Sequence, residues 1–374
     1  MHTWLNIFHL GVKELRSLGR DTVMLVLIVF SFTGQIYLTA TGVPGVLHKA
    51  PIAIVDEDRS QLSIRIANAF YPPYFLTPAF IAPDAIDPGM DAGLYTFVLD
   101  IPPNFQRDVL AGHQPAIQLN VDATRMSQAF IGNGYVHNIV GAEVAAFVQG
   151  HSTAATLPAE LEVRARFNPN LDPVWFGSVM ELINSITMLS IILTSAALIR
   201  EREHGTIEHL LVMPLTPFEI MMAKVWAMGL VVVVVATASI VSVVQGVLEV
   251  PIEGSIGLFI MGMALHLFAT TSMGIFLGTV ARSMPQMGLL MIITLLPLQM
   301  LSGGYTPRES MPVLVQNIML VAPTTHFVSL AQAILYRGAG FSIVWPQFLA
   351  LIAIGSVFFV LALSRFRKTI SSMA

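Results

Sequence analysis

The chain has 374 residues, of which 55% are hydrophobic and 11% charged, with a formal net charge of −4 and no cysteine. Soluble globular domains carry about a quarter charged residues, so this deficit points to a membrane protein. The slightly acidic balance, with no basic patch, argues against a nucleic-acid partner, and the lack of cysteine excludes disulfides, thiolate metal sites and Cys nucleophiles. The 20 methionines suit adaptable apolar packing in a bilayer.

The first twenty residues are amphipathic. Trp4, Ile7, Phe8, Val12, Leu15 and Leu18 recur at helical spacing, and Lys13, Arg16 and Arg20 add positive charge. This predicts a helix lying on an anionic leaflet. The charge-free run from Thr22 to Leu47 follows. About 20 apolar residues cross the hydrocarbon core, so it is read as an uncleaved first span rather than a signal peptide.

Between Lys49 and Val174 short apolar strands alternate with helical segments. Strands are expected at Pro51–Val55, Tyr95–Leu99, Ala116–Val121 and Leu161–Phe167, and helices at Ser60–Tyr71, Asn104–Leu110 and Ser127–Gln149. The pattern is that of an α/β domain. Charge-free runs then occupy Leu182–Ile199, Val225–Leu248, Gly254–Ala281, Ser283–Pro307 and Gly338–Ser364. The stretch Ser310–Tyr336 also lacks charge, but Pro312, Gln316, Asn317, Pro323 and His326 make it too polar for a simple lipid-facing span. It is read as a re-entrant or interfacial helix pair.

The expected fold is therefore an α-helical polytopic membrane protein with six transmembrane helices and an inserted extracytoplasmic α/β domain between helices 1 and 2. The divisions are 1–47, 48–174 and 175–374. The last contains a coupling helix at 200–217 and a re-entrant region at 303–337. Six spans place Lys13, Arg16, Arg20, Arg200, Arg202, Lys224, Arg282, Arg365, Arg367 and Lys368 on one side, which the positive-inside rule assigns to the cytoplasm. Both termini are then cytoplasmic and residues 48–174 periplasmic, in a bacterial inner membrane.

No catalytic constellation or metal motif stands out. The four lysines, Lys13, Lys49, Lys224 and Lys368, do not follow glycine, so no Walker A sequence is present. Glu181 is placed at the outer entry of the second span and His266 inside the fourth, where it is read as a helix-packing residue. Gly274 and Gly278 form a GxxxG that would let helices approach closely. The run Arg200–Lys224 is the longest charged break in the second half of the chain. Arg200–Glu203 can continue the second span, Gly205-Thr206 breaks it, and Pro214 ends a short two-sided helix. Thr216 then serves as an N-cap, with Pro217 first and Glu219 third in the next helix.

The stretch EREHGTIEHLLVMPLTPFEIMMAK resembles the cytoplasmic coupling segment of permease subunits of ABC-2 type transporters, the type V ABC exporters. There the pattern E-x-G-T-x-E-x-L-x-x-x-P recurs, and Glu203, Gly205, Thr206, Glu208, Leu210 and Pro214 fill it here. IAIVDEDRSQLS, IPPNFQRDVLAG, QLNVDATR and RFNPNL are similar to the extracytoplasmic domain of the drug-exporter branch, and LSGGYTPRESMP with APTTHFV to its re-entrant region. The resemblance covers essentially the whole chain.

It implies an ATP-driven exporter permease without its own ATPase site. ATP and Mg would be held by a separate ABC ATP-binding subunit, and no cofactor would be bound directly. Coupling would involve Glu201, Glu203, Gly205, Thr206, Glu208, Leu210 and Pro214. An outer gate would involve Gly303, Gly304, Tyr305, Pro307 and Pro323. Further partners would be a second permease chain, membrane lipid and, as in some relatives, a periplasmic adaptor protein. The residues alone leave open a secondary transporter, or a membrane sensor or scaffold.

Overall fold

A computed structural model describes residues 2–42, 47, 49–122, 126–151, 172–203, 215–281 and 283–371. The chain divides into two compact units, residues 1–42 with 174–374, and residues 43–173.

The first unit opens with α1 (His2–Gly19), followed by α2 (Thr22–Phe32) and α3 (Gly34–Gly42). Asp21 caps α2 by accepting from the Met24 N–H at 3.1 Å, the usual means of satisfying a free N–H at a helix start. The backbone leaves the helical region at Thr33, so the first apolar run is two helices rather than one.

In the second unit, β1 (Ile52–Asp56), α4 (Gln61–Asn68), β2 (Ala79–Phe80), α5 (Ile86–Asp91), β3 (Phe97–Ile101), α6 (Phe105–Leu110), β4 (Gln118–Val121) and α7 (Met126–His151) follow in order. The sheet order is β2-β1-β3-β4; β1 runs parallel to β2 and β3, and β3 antiparallel to β4. Alternation along β1 and β3 sends Ile52, Ile54, Phe97 and Leu99 to one face with Leu62, Ile66 and Phe70. Ala53, Val55 and Val98 go to the other face, against Ile81, Ile86 and Met90. Both faces are covered, which explains why these strands read as continuous apolar runs. The strands lie one or two residues further along the chain than the apolar runs suggest. Neither β2 nor α5 shows in the sequence, because two and six residues are too short for a periodic pattern, and α5 contains Pro88 and Gly89. The strand expected at 161–167 lies outside the described residues.

The first unit resumes with α8 (Pro173–Glu203), α9 (Pro217–Ser239, continued by a wider turn over Ile240–Gln245), α10 (Ile256–Val280), α11 (Met284–Met300), α12 (Val313–Met319), α13 (Pro323–Leu335) and α14 (Phe341–Ser371). Among the described residues five helices are long and apolar enough to cross a membrane, and six if α12 and α13 count as one broken span. Those two meet at 88°. The fifth expected span is α11, of only 17 residues, about 25 Å long and so at the short limit for crossing.

Helix α8 is the central element, buried along nearly its whole length. It starts nine residues before the expected Leu182, so Glu181 lies within the helix and not at its entry. Small polar residues allow neighbouring helices to come close. Thr187 lies 2.9 Å from Nε2 of His266, and Ser190 donates to Thr270 at 2.7 Å. His266 also stacks on Phe327, with ring centroids 4.0 Å apart, in keeping with a packing role. A Cβ at Gly274 would lie 2.9 Å from the Ile191 carbonyl oxygen, and one at Gly278 3.0 Å from the Leu198 side chain. The GxxxG is thus the seam between α10 and α8.

Candidate coupling site

The last turn of α8 carries four consecutive charged residues, and each reaches a different part of the bundle. Arg200 pairs with Asp21 at 2.5 Å. Glu201 lies 2.5 Å from Lys13 and 2.7 Å from Lys224. Arg202 donates to the Ala281 carbonyl at the end of α10, at 2.6 Å. Glu203 accepts from the Met284 N–H at the start of α11, at 3.1 Å. A cation at a helix C-terminus and an anion at an N-terminus both match the helix dipole.

Glu201 is one corner of a buried ionic cluster. The Lys224 ammonium is 1% exposed and also contacts Glu14 of α1 at 2.9 Å. Glu14 is itself buried, while Lys13 is about half exposed. Two cations and two carboxylates therefore join α1, α8 and α9. Buried charge of this kind is tolerated only when paired. A small cavity of about 220 Å³ lies alongside, lined by Lys13, Glu14, Arg200 and Glu201.

The start of α9 is equally well fixed. Thr216 accepts from the Glu219 N–H at 3.3 Å, and Glu219 accepts from the Thr216 N–H at 2.7 Å. This reciprocal capping box is the arrangement the sequence led us to expect. Asn6 donates to Glu219 at 3.1 Å, and the Trp226 indole N–H donates to the Ile7 carbonyl at 3.1 Å. Both helices that flank residues 204–214 are thus tied to α1.

Twenty-five residues back along α8, about 38 Å by helix rise, Phe176 lines a cleft of about 720 Å³ together with Gly303, Gly304, Tyr305 and Pro307. Pro323 is not in its wall; it starts α13, whose Thr325, Val328 and Gln332 are. Beside the cleft, Gln35 donates to Glu181 at 2.5 Å, Tyr305 donates to Glu181 at 3.4 Å, and Asn184 donates to the Tyr305 hydroxyl at 3.2 Å. Burial, and then the nearby Glu181 carboxylate, push the Tyr305 phenol above its ordinary value. Gly303 has a φ of +94°, which a side chain would strain. The Met180 methyl lies 2.0 Å from where a Cβ on Gly304 would sit.

The description "ABC-2 family transporter protein" matches residues 22–364. The chain belongs to this family. The inner membrane transport permease YhhJ of Escherichia coli K12 is 69% identical over 369 residues, which cover 99% of both chains. The probable multidrug ABC transporter permease YbhR of that strain is 29% identical over 362 residues, 96% of this chain and 97% of its own. The probable multidrug ABC transporter permease YbhS, also of that strain, is 26% identical over 351 residues, 90% of each.

For this ABC-2 protein, of the coupling residues expected from sequence only Glu201 and Glu203 fall in the described part, and both anchor the end of α8. Gly205, Thr206, Glu208, Leu210 and Pro214 lie outside it, as does Arg282. Sequence reasoning misses Glu14 altogether; it takes Lys13 as a basic residue of an interfacial helix, and Lys13 and Lys224 as members of a positive-inside count, with no buried partner for either. A signal was available. Ile7, Gly11, Glu14 and Leu18 are spaced 4, 3 and 4, and together they form the buried stripe of α1. Trp4 and Phe8, assigned to the same apolar face, are exposed. A carboxylate on a buried stripe calls for a cation, and Lys224 supplies it.

Proposed function

We propose that this chain is the membrane-spanning permease subunit of an ATP-driven exporter in the bacterial inner membrane. Energy comes from a separate ABC ATP-binding subunit, which holds ATP and Mg and docks on residues 203–214. Two permease chains pair around the transport path, with a periplasmic adaptor protein as a further partner. The cargo is hydrophobic or amphiphilic, with drugs as the first class to test, since the relatives YbhR and YbhS are named probable multidrug permeases. Both termini and the coupling segment face the cytoplasm; residues 48–174 face the periplasm.

The observation that carries this reading is the last turn of α8, where Arg200 engages the cap of α2, Glu201 engages α1 and α9, Arg202 the end of α10 and Glu203 the start of α11. A segment held at both stems in this way passes a push to several helices at once. Rigid α8 then carries the displacement to Tyr305 and the cleft beyond. Coupling between distant sites requires such a physically continuous element with two arrangements.

The test is co-expression with the ATP-binding subunit and drug-susceptibility measurement, using Gly205→Pro with Glu208→Ala. Membrane insertion should persist while resistance and subunit co-purification are lost. Normal docking and export in that double variant would sink the proposal. Export in ATPase-free vesicles driven by a proton gradient would instead favour a secondary transporter, with the buried Glu181 as its first candidate residue.

A further inference from the structure

The cleft beside Tyr305 carries chemistry that the coupling reading leaves unused. Arg308 and Arg337 line it with one carboxylate, Glu309, which leaves the lining with an excess of one positive charge. Among the described residues neither guanidinium takes part in an ion pair. Nε of Arg308, Oγ1 of Thr325 and Oε1 of Gln347 are enclosed and lack a hydrogen-bond partner among the described residues, and all three residues belong to the lining. A modest rotation of these side chains towards the cleft would give each a partner once a group bearing both acceptors and donors enters.

The wall of the cleft continues into exposed apolar surface. Pro346 and Gln347 of α14 line it, while Trp345, Leu349 and Ile352 of the same helix are exposed. Their spacing of 4 and 3 puts them in one stripe running from the cleft along the helix.

We propose that this cleft binds the head group of an anionic membrane phospholipid, with an acyl chain laid along Trp345, Leu349 and Ile352. The phosphodiester would accept from the Arg308 and Arg337 guanidiniums and from Thr325; guanidinium forks match phosphate geometry. A hydroxyl on the head group would donate to Gln347. Trp345 would sit at head-group depth, where indoles are favoured.

The test uses the full-length protein, delipidated in detergent and titrated with phosphatidylglycerol, phosphatidylcholine or soluble glycerol 3-phosphate, with bound ligand read by native mass spectrometry. Phosphatidylglycerol should be retained over phosphatidylcholine. Arg308→Gln with Arg337→Gln should weaken phosphatidylglycerol by about 10- to 100-fold, the scale of losing hydrogen bonds to a charged group. Trp345→Ala should weaken it further. Equal retention of the two lipids by the unaltered protein overturns the proposal, as does unchanged phosphatidylglycerol binding in the double variant. Binding of glycerol 3-phosphate as strong as that of the lipid overturns the lipid as the source. If the double variant is not monodisperse, Arg308→Lys with Arg337→Lys replaces it. That pair keeps the charge but loses the fork, so phosphatidylglycerol binding should fall below that of the unaltered protein, and unchanged binding overturns the proposal.

Discussion

Replacing Lys224 by methionine removes one cation from between two buried carboxylates. Its ammonium lies 2.9 Å from Glu14 and 2.7 Å from Glu201. At an effective dielectric constant of about 20, each such contact is worth roughly 6 kcal/mol before desolvation is counted. Desolvation of three ions costs several kcal/mol apiece, so the intact cluster contributes little net stability. The substitution is different, because it leaves Glu14 and Glu201 desolvated with only half-exposed Lys13 between them. Losing one partner of a buried pair costs about 3–5 kcal/mol, which for a bundle of this size lowers the unfolding midpoint by about 10 °C. Fluorescence-detected size-exclusion of the heated protein in detergent measures this. Adding Glu14→Gln and Glu201→Gln to Lys224→Met should restore most of the loss, since no uncompensated charge then remains buried. If Lys224→Met alone leaves the midpoint unmoved, or the triple variant is no better than the single, the ionic cluster is not what holds α1, α8 and α9 together.

Lys13→Ala, at a half-exposed position, should cost at most about 1 kcal/mol in the same assay, a much smaller shift than Lys224→Met. Gly274→Leu drives a side chain into the Ile191 backbone; overpacking costs about 1–3 kcal/mol, and the purified yield should fall while Gly288→Leu, where a Cβ meets nothing within 4 Å, leaves it intact. Tyr305→Phe removes the hydroxyl shared by Glu181 and Asn184, and drug resistance should drop with membrane insertion unchanged. The folded state raises the Tyr305 phenol above its ordinary value, so it binds its proton more tightly than the unfolded chain does. Its contribution to stability is therefore full below pH 10 and declines as pH rises through the higher folded value. A tyrosinate absorbance titration should show a late-titrating phenol that is missing from Tyr305→Phe.

Much of the membrane-embedded unit was legible because a bilayer imposes a length and a composition on whatever crosses it. The charge-free runs found the long helices, and the polar, proline-containing stretch after Ser310 marked the bent pair α12–α13. Thr216, Pro217 and Glu219 announced the start of α9 through local capping chemistry alone. Boundaries were less legible. Helix α8 begins at Pro173, because the polar Ser178 and Glu181 are packed inside the bundle and hydrogen-bonded and so do not end the helix where the apolar run ends. Glu181 lies eight residues into α8, buried and hydrogen-bonded to Gln35, a partner its sequence neighbours do not reveal.

The sequence by itself determined the class of the molecule, the approximate spans and the capped start of α9 at Thr216, because each depends on local composition or on neighbours a few residues apart. Only the tertiary structure decided which charges meet. Lys13, Glu14, Glu201 and Lys224 converge from three helices up to 210 residues apart in sequence. Phe176, Tyr305, Arg308 and Arg337 share a cleft for the same reason. A buried ion must find a partner wherever the fold supplies one, and sequence spacing carries no record of that encounter.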